Sequence, residues 1–229
     1  TSCSSQKETL TVLTAAGLKE PFDRLVELYE RENPSVEVRV VYGGSGELLA
    51  LLNSERGDLF IPAGRFYADE AAERGLVDPS TFAVLVEFVP VLVVREEVAR
   101  KVKKLEDLLR EDVRVGVGDP RAASIGRATR IMFEKLGLWD RLEERAVVKT
   151  PTVSQLLFYL KTGQVDATVI WRHLVRDLKG VKVVPIPEEV RVNEAVVVSV
   201  TSFTENRKAA ESFKKFLLDR KEVFKNYGF

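Results

Sequence analysis

The chain has little of what most catalytic and metal chemistry is built from. Its 229 residues include one cysteine and one histidine. A single cysteine excludes an internal disulfide and a cysteine-rich zinc cluster. The one histidine, His173, has no evident partner in the sequence, and a lone imidazole beside a strand end reads as structural. An excess of charge is missing too. Lys and Arg number 35 against 35 Asp and Glu, so there is no basic stripe of the kind nucleic-acid binding requires, and no nucleic acid is expected as a partner. No apolar run approaches the ~18–20 residues needed to span a bilayer. What remains is 45% apolar and 31% charged, the balance of a globular chain able to bury a full core. The length fits one large domain or two small ones.

The most informative stretch is Val40-Val41-Tyr42-Gly43-Gly44-Ser45-Gly46-Glu47-Leu48-Leu49. A β-branched run ends, glycines and Ser45 turn the chain, and a helical apolar pattern begins at once. Glycine lets the backbone approach another group closely. A helix start leaves unpaired N–H groups and carries partial positive charge. Together these make an anion site, to which Ser45 adds a neutral hydroxyl donor and Gly44 and Gly46 add accessory N–H groups.

The same grammar recurs along the chain. Leu10–Leu13 predicts a buried strand, Thr14–Leu18 a small-residue loop, and Phe22, Leu25, Val26 and Tyr29 a helix stopped by Asn33-Pro34. Val36, Val38 and Val40 alternate as a half-buried strand. Asp58–Pro62 is a further strand, and the helix from Phe66 to Arg74 is closed by Gly75. A helix is expected over Leu105–Leu109 and a strand over Val113–Val117. Gly118–Gly126 forms a second small-residue loop into a helix. Ala146–Lys149 leads through Thr150-Pro151-Thr152, with Thr152 as N-cap, into a third helix start. Val165–Ile170 reads as a buried strand finishing at Trp171. Two helices close the chain.

Strand and helix alternate almost throughout. That predicts an α/β fold of mostly parallel sheets flanked by helices. The apolar run Phe82–Val94 exceeds an average strand and is expected to cross between two lobes, with Val196–Val200 as the return crossing. The expected division is a flexible tether over 1–9, one lobe from 10–84 plus 195–229, and a second from 85–194. Four strand ends open into helix starts, at Thr14–Gly17, Gly43–Gly46, Gly118–Gly126 and Thr150–Thr152. Ligands in open α/β sheets sit beyond such carboxyl ends. A small ligand enclosed between two lobes, and held by backbone N–H groups and small hydroxyls, is the expected function.

Cys3 sits in Thr1-Ser2-Cys3-Ser4-Ser5-Gln6. Small residues before a near-terminal cysteine, then a polar tether, resemble the end of a bacterial lipoprotein signal. That resemblance implies a lipidated Cys3 and a protein working outside the cytoplasmic membrane, tethered rather than inserted.

Taken in order, Leu10-Thr11-Val12 with Ala15-Ala16-Gly17-Leu18, Tyr42-Gly43-Gly44-Ser45-Gly46, Asp58-Leu59-Phe60-Ile61, Gly118-Asp119-Pro120, Val165-Asp166-Ala167 with Ile170-Trp171, and Phe224–Phe229 resemble the molybdate-binding periplasmic proteins. These are solute-binding components of ABC importers with the two-lobed type II periplasmic-binding fold. The resemblance covers nearly the whole chain. It implies an extracytoplasmic monomer that captures molybdate or tungstate and delivers it to an ABC permease, with no cofactor. The family holds its dianion with neutral donors; some relatives add carboxylates to the metal's coordination, for which Asp119 or Glu47 would be the candidates here, but no side-chain carboxylate ligand is expected. Carried over, those donors fall on Ser45, Ile125, Val153, Gly17 and Trp171, with Ser124, Thr152 and Arg172 as further accessory positions. Two positions depart from the pattern. Gly17 stands where the family has a serine and keeps only its N–H. Trp171 stands where the family has a tyrosine, and its indole N–H donates but cannot accept.

Arg121, Arg127 and Arg172 flank these positions and would add charge that the family's site lacks. Asp119 and Glu47 read as loop and helix-terminus residues, and Asp58 and Asp69 as strand-start and helix-face residues. Sulfate, phosphate or a small organic anion is the alternative solute. Two other classes share the architecture. An enzyme would need an activated nucleophile or an acid/base pair. A cytoplasmic effector-sensing domain would need a DNA-binding element before the first strand.

Overall fold

A computed structural model of the chain describes residues 6–229. Cys3 and residues 1–5, most of the expected tether, lie outside the described residues. Packing divides the chain into two units. The first comprises residues up to Val86, then Ala195–Tyr227 and Phe229; the second comprises Glu87–Glu194 and Gly228.

In chain order the first unit opens with β1 (Glu8–Ala15), a 3-10 turn at Ala16–Leu18, α1 (Lys19–Glu32), β2 (Val36–Gly43), α2 (Ser45–Leu52), β3 (Leu59–Ile61) and α3 (Arg65–Glu73). The long strand β4 (Val77–Phe88) carries the chain towards the second unit. There follow β5 (Pro90–Arg95), a 3-10 turn at Leu105–Leu109, β6 (Gly116–Gly118), α4 (Ser124–Lys135) and α5 (Trp139–Arg145). Next come β7 (Val148–Thr150), α6 (Val153–Lys161), β8 (Ala167–Trp171) and β9 (Val181–Pro185). Strand β10 (Glu194–Thr201) returns the chain to the first unit, where α7 (Arg207–Asp219) and α8 (Glu222–Lys225) complete it.

The first unit is built on a five-stranded sheet in the order β2-β1-β3-β10-β4. β1 runs parallel to β2 and β3, and β3 runs antiparallel to β10. Helix α1 sets Phe22, Leu25 and Tyr29 into the core at the spacing of one helical face. From α7 come Phe213 and Phe216, whose rings meet Tyr29 edge-on at 4.9 and 5.1 Å, a geometry favoured by the ring quadrupoles. The second unit holds a three-stranded sheet, β8-β5-β9, and a parallel pair, β6-β7. Val115 bridges Ala167 in the parallel sense and joins the two. The central strand β5 is buried along nearly all its length, whereas β9 at the edge is mostly exposed.

One aspartate plays the same part in each unit. Asp58, just before β3, accepts the Thr11 N–H at 2.7 Å and the Thr204 hydroxyl at 2.6 Å. Asp166, just before β8, accepts the Arg114 N–H at 2.8 Å and pairs with its guanidinium at 2.7 Å. A buried carboxylate would be costly without such partners. Here each one ties a strand start to the neighbouring segment.

Several local expectations need correction. The run Phe82–Val94 is two strands rather than one, because Pro90 has no N–H to continue a ladder; β4 instead reaches back to Val77. In the second unit parallel pairing is confined to β6-β7 and the Val115 bridge, since β5 is antiparallel to both of its neighbours. Strand β1 begins at Glu8 and takes in Thr14 and Ala15, which were expected in the loop. Leu105–Leu109 forms only a 3-10 turn, β6 is confined to Gly116–Gly118, and α5 was not anticipated. The glycine stop expected at Gly75 stands at positive φ, and Gly137 and Gly163 end α4 and α6 in the same way.

Candidate functional site

In the first unit, strand register brings two predicted donors together. Ala15 at the end of β1 stands opposite Gly43 at the end of β2. The turn holding Gly17 and the start of α2 at Ser45 therefore leave neighbouring parallel strands at the same sheet edge. Thr14 pairs with Ile61, so the end of β3 joins them. Gly44 is the N-cap of α2 and Ser45 its first residue. The N–H groups of that turn have no partner within the helix. Ser45 is buried, and its hydroxyl oxygen accepts the Ala63 N–H at 3.0 Å. Gly17 is buried as well. Glu47 is exposed on the first turn of α2.

The second unit repeats the plan. Gly118 at the end of β6 pairs with Thr150 at the end of β7, and the Asp119 N–H donates to the Thr150 carbonyl at 2.7 Å. The two strands lead into α4, starting at Ser124, and α6, starting at Val153. The parallel bridge to Val115 turns the end of β8, at Trp171, towards the same edge. Ile125 and Val153 are buried and can offer only the backbone N–H of a helix's first turn, while the buried Ser124 also carries a hydroxyl. Thr152 caps α6 as expected, its oxygen accepting the Gln155 N–H at 3.2 Å.

Two glycines press α4 against β6. A Cβ on Gly126 would stand 2.4 Å from the Gly118 carbonyl oxygen, and one on Gly118 would stand 2.8 Å from the Gly126 nitrogen. Only glycine permits this approach. It holds the first turn of α4 directly over the strand end.

Trp171 is 1% exposed, and its ring lies 5.3 Å from Phe88. His173 is buried with its ring 4.5 Å from Phe88, in keeping with a structural histidine. The arginines differ in their surroundings. Arg121 and Arg172 are exposed. The Arg127 side chain, on the first turn of α4, lies 3.2 Å from Glu194 and makes an ion pair with it. Burial pushes the Glu194 carboxyl up to about 7, against the opposing attraction of Arg127. Asp119 accepts the Arg121 N–H at 2.9 Å and so serves its own loop. Among the described residues no cluster of three His, Cys, Asp or Glu could hold a metal ion.

Sequence reasoning missed Ala63 and Glu194. Nothing local marks Ala63, whose N–H meets Ser45 only through the placement of β3. Glu194 did carry a signal: it is a lone charge opening the apolar run Ala195–Val200.

Comparison with known proteins fits this geometry. The model of the bacterial extracellular solute-binding protein family matches residues 10–229. A Haemophilus influenzae protein named as a binding protein is 35% identical, over 82% of this chain and 76% of its own length. A Bacillus subtilis protein named as an ABC transporter substrate-binding lipoprotein is 28% identical, over 99% of this chain and 88% of its own. The molybdate-binding protein of Escherichia coli is 25% identical, over 96% and 88%. Among solved structures, the sulfate-binding protein of Mycobacterium tuberculosis superimposes with a TM-score of 0.84, at 16% identity over 97% of this chain and 86% of that one. The periplasmic molybdate-binding protein of Azotobacter vinelandii gives 0.80, at 18% identity over 96% and 97%. The fold is that of the type II periplasmic binding proteins, and with its family match running from residue 10 to the C-terminus the chain belongs to the bacterial extracellular solute-binding proteins.

Proposed function

We propose that this chain binds a tetrahedral oxyanion, molybdate or tungstate, outside the cytoplasmic membrane and hands it to an ABC permease. The supporting observation is chemical. In each unit, neighbouring strand ends lead into helix first turns made of small or apolar residues: Gly44-Ser45-Gly46 in one, Ser124-Ile125 and Val153 in the other. Such turns offer N–H donors and positive dipole ends from their leading residues; the charges beside them are Glu47, exposed on the first turn of α2, and Arg127, paired with Glu194. The proposed donors are Gly17, Ser45, Ile125, Val153 and Trp171, with Gly44, Gly46, Ser124, Thr152 and Arg172 as accessories. Neutral donors suit a fully deprotonated dianion, because hydrogen bonds to charged oxygens are the strong ones. Phosphate carries a proton near neutral pH and would need an acceptor, which this donor set lacks. Sulfate would be told apart by its smaller size.

A monomeric state and a lipid tether at Cys3 complete the proposal. Supporting the transport role are the family itself and the relative named as an ABC transporter lipoprotein. The similarity to a sulfate-binding structure makes sulfate the second solute to test. The experiment is isothermal titration of ligand-stripped protein with molybdate, tungstate, sulfate and phosphate at one pH and salt. Tight one-to-one heat with the first two, and none with the others, is expected. Heat with sulfate alone would replace the proposed solute, and silence with all four would end the oxyanion proposal.

A further inference from the structure

Glu194 and Arg127 form an ion pair whose members have unequal surroundings. The carboxylate side chain is 8% exposed and the guanidinium 28%, at 3.2 Å. Arg127 is the fourth residue of α4, one position beyond the glycine that packs against Gly118. Arg127 therefore belongs to the same first turn as Ser124 and Ile125, and helical side chains lean towards the helix N-terminus. Glu194 comes from a segment 67 residues away and is the last residue of its unit before the chain leaves it. Arg191, the nearest charged neighbour on that segment, turns its guanidinium to the Asn193 side chain at 3.1 Å.

We infer that Glu194 is a specificity-determining residue for the anion, acting by cancelling the charge of Arg127 beside the first turn of α4. This rests on the oxyanion-binding proposal. A helix start with an uncompensated guanidinium would attract any anion, in proportion to the anion's charge. With Glu194 in place, the turn presents dipoles and N–H groups whose selectivity comes from geometry. Glu194 does not touch the ligand; it sets the field that the ligand meets.

Removing the carboxylate charge separates this role from a merely structural one. The test compares the wild type, Glu194→Gln and the double variant Arg127→Gln with Glu194→Gln at pH 8.5, where Glu194 of the wild type is ionised. Each is titrated with molybdate and with perrhenate, a tetrahedral monoanion of similar size, at two ionic strengths. Glu194→Gln is expected to bind molybdate about tenfold tighter and perrhenate about threefold tighter, since the interaction scales with ligand charge. The gain should shrink as salt screens it. The double variant should return to the wild-type affinity. If the wild type binds molybdate and Glu194→Gln binds it no tighter, or gains equally for both anions, the inference fails while the oxyanion function stands. Silence of the wild type and both variants would overturn both together. Circular dichroism on each variant establishes that it is folded, and the double variant controls for packing at position 194.

Discussion

The Ser45 hydroxyl oxygen accepts the Ala63 N–H at 3.0 Å and donates only a long bond, 3.5 Å, to the Ala63 carbonyl. A proton held by so long a bond can turn to a better acceptor, since the hydroxyl rotates, and accepting a bond polarises it towards donating. This is the state a neutral donor for an oxyanion should be in. Ser45→Ala is therefore expected to weaken molybdate binding by about 1.5–3 kcal/mol, the value of a hydrogen bond to a charged group. It should also lower the melting temperature, because the buried Ala63 N–H loses its partner. Titration and melting together separate the two effects. An unchanged affinity with a lowered melting temperature would make Ser45 purely structural. Gly17 and Trp171 were identified as departures from sequence alone, but the burial of Trp171 against Phe88 was not foreseeable. Phe88 lies 83 residues earlier in the chain.

At the scale of elements, Glu194 couples the start of β10 to α4, and its ionisation should be visible in stability. Burial raises the folded carboxyl from an ordinary 4.5 to about 7. Between those values the folded chain keeps a proton that the unfolded chain has released. Stability is then fully present below about pH 4.5, falls as pH rises towards 7, and levels off above it. The drop is roughly 3 kcal/mol, since each tenfold change in proton affinity between the folded and unfolded chain corresponds to about 1.4 kcal/mol. Glu194→Gln has no such group. Denaturant unfolding at pH 5 and pH 8 should show the variant gaining on the wild type by about that amount at the higher pH. A gap that does not change with pH would show that Glu194 ionises as readily folded as unfolded. The elements were mostly legible in the sequence because their signals are local. Thr152 caps α6, and Gly75, Gly137 and Gly163 end helices at positive φ. The 3-10 turn at Leu105–Leu109 was not, since five residues with leucines at both ends fit either kind of helix.

At the scale of the molecule, a ligand that binds only the folded chain must stabilise it. At a hundredfold excess over its dissociation constant the gain is about 2.7 kcal/mol, which for a chain of this size is roughly 5–10 °C in melting temperature. Molybdate and tungstate are expected to produce that shift and phosphate none, as read by differential scanning calorimetry. Equal shifts with every anion would point to a general salt effect rather than a site. The sequence by itself determined the α/β alternation, the glycine-rich strand-to-helix turns and the family resemblance, because hydrophobic period, caps and glycine turns are written in short windows. Only the tertiary structure decided that Ala63 orients Ser45, that β5 pairs antiparallel with both neighbours, and that Glu194 offsets Arg127. Each of these joins segments distant in the chain, and strand register and packing, rather than any local preference, bring them within reach.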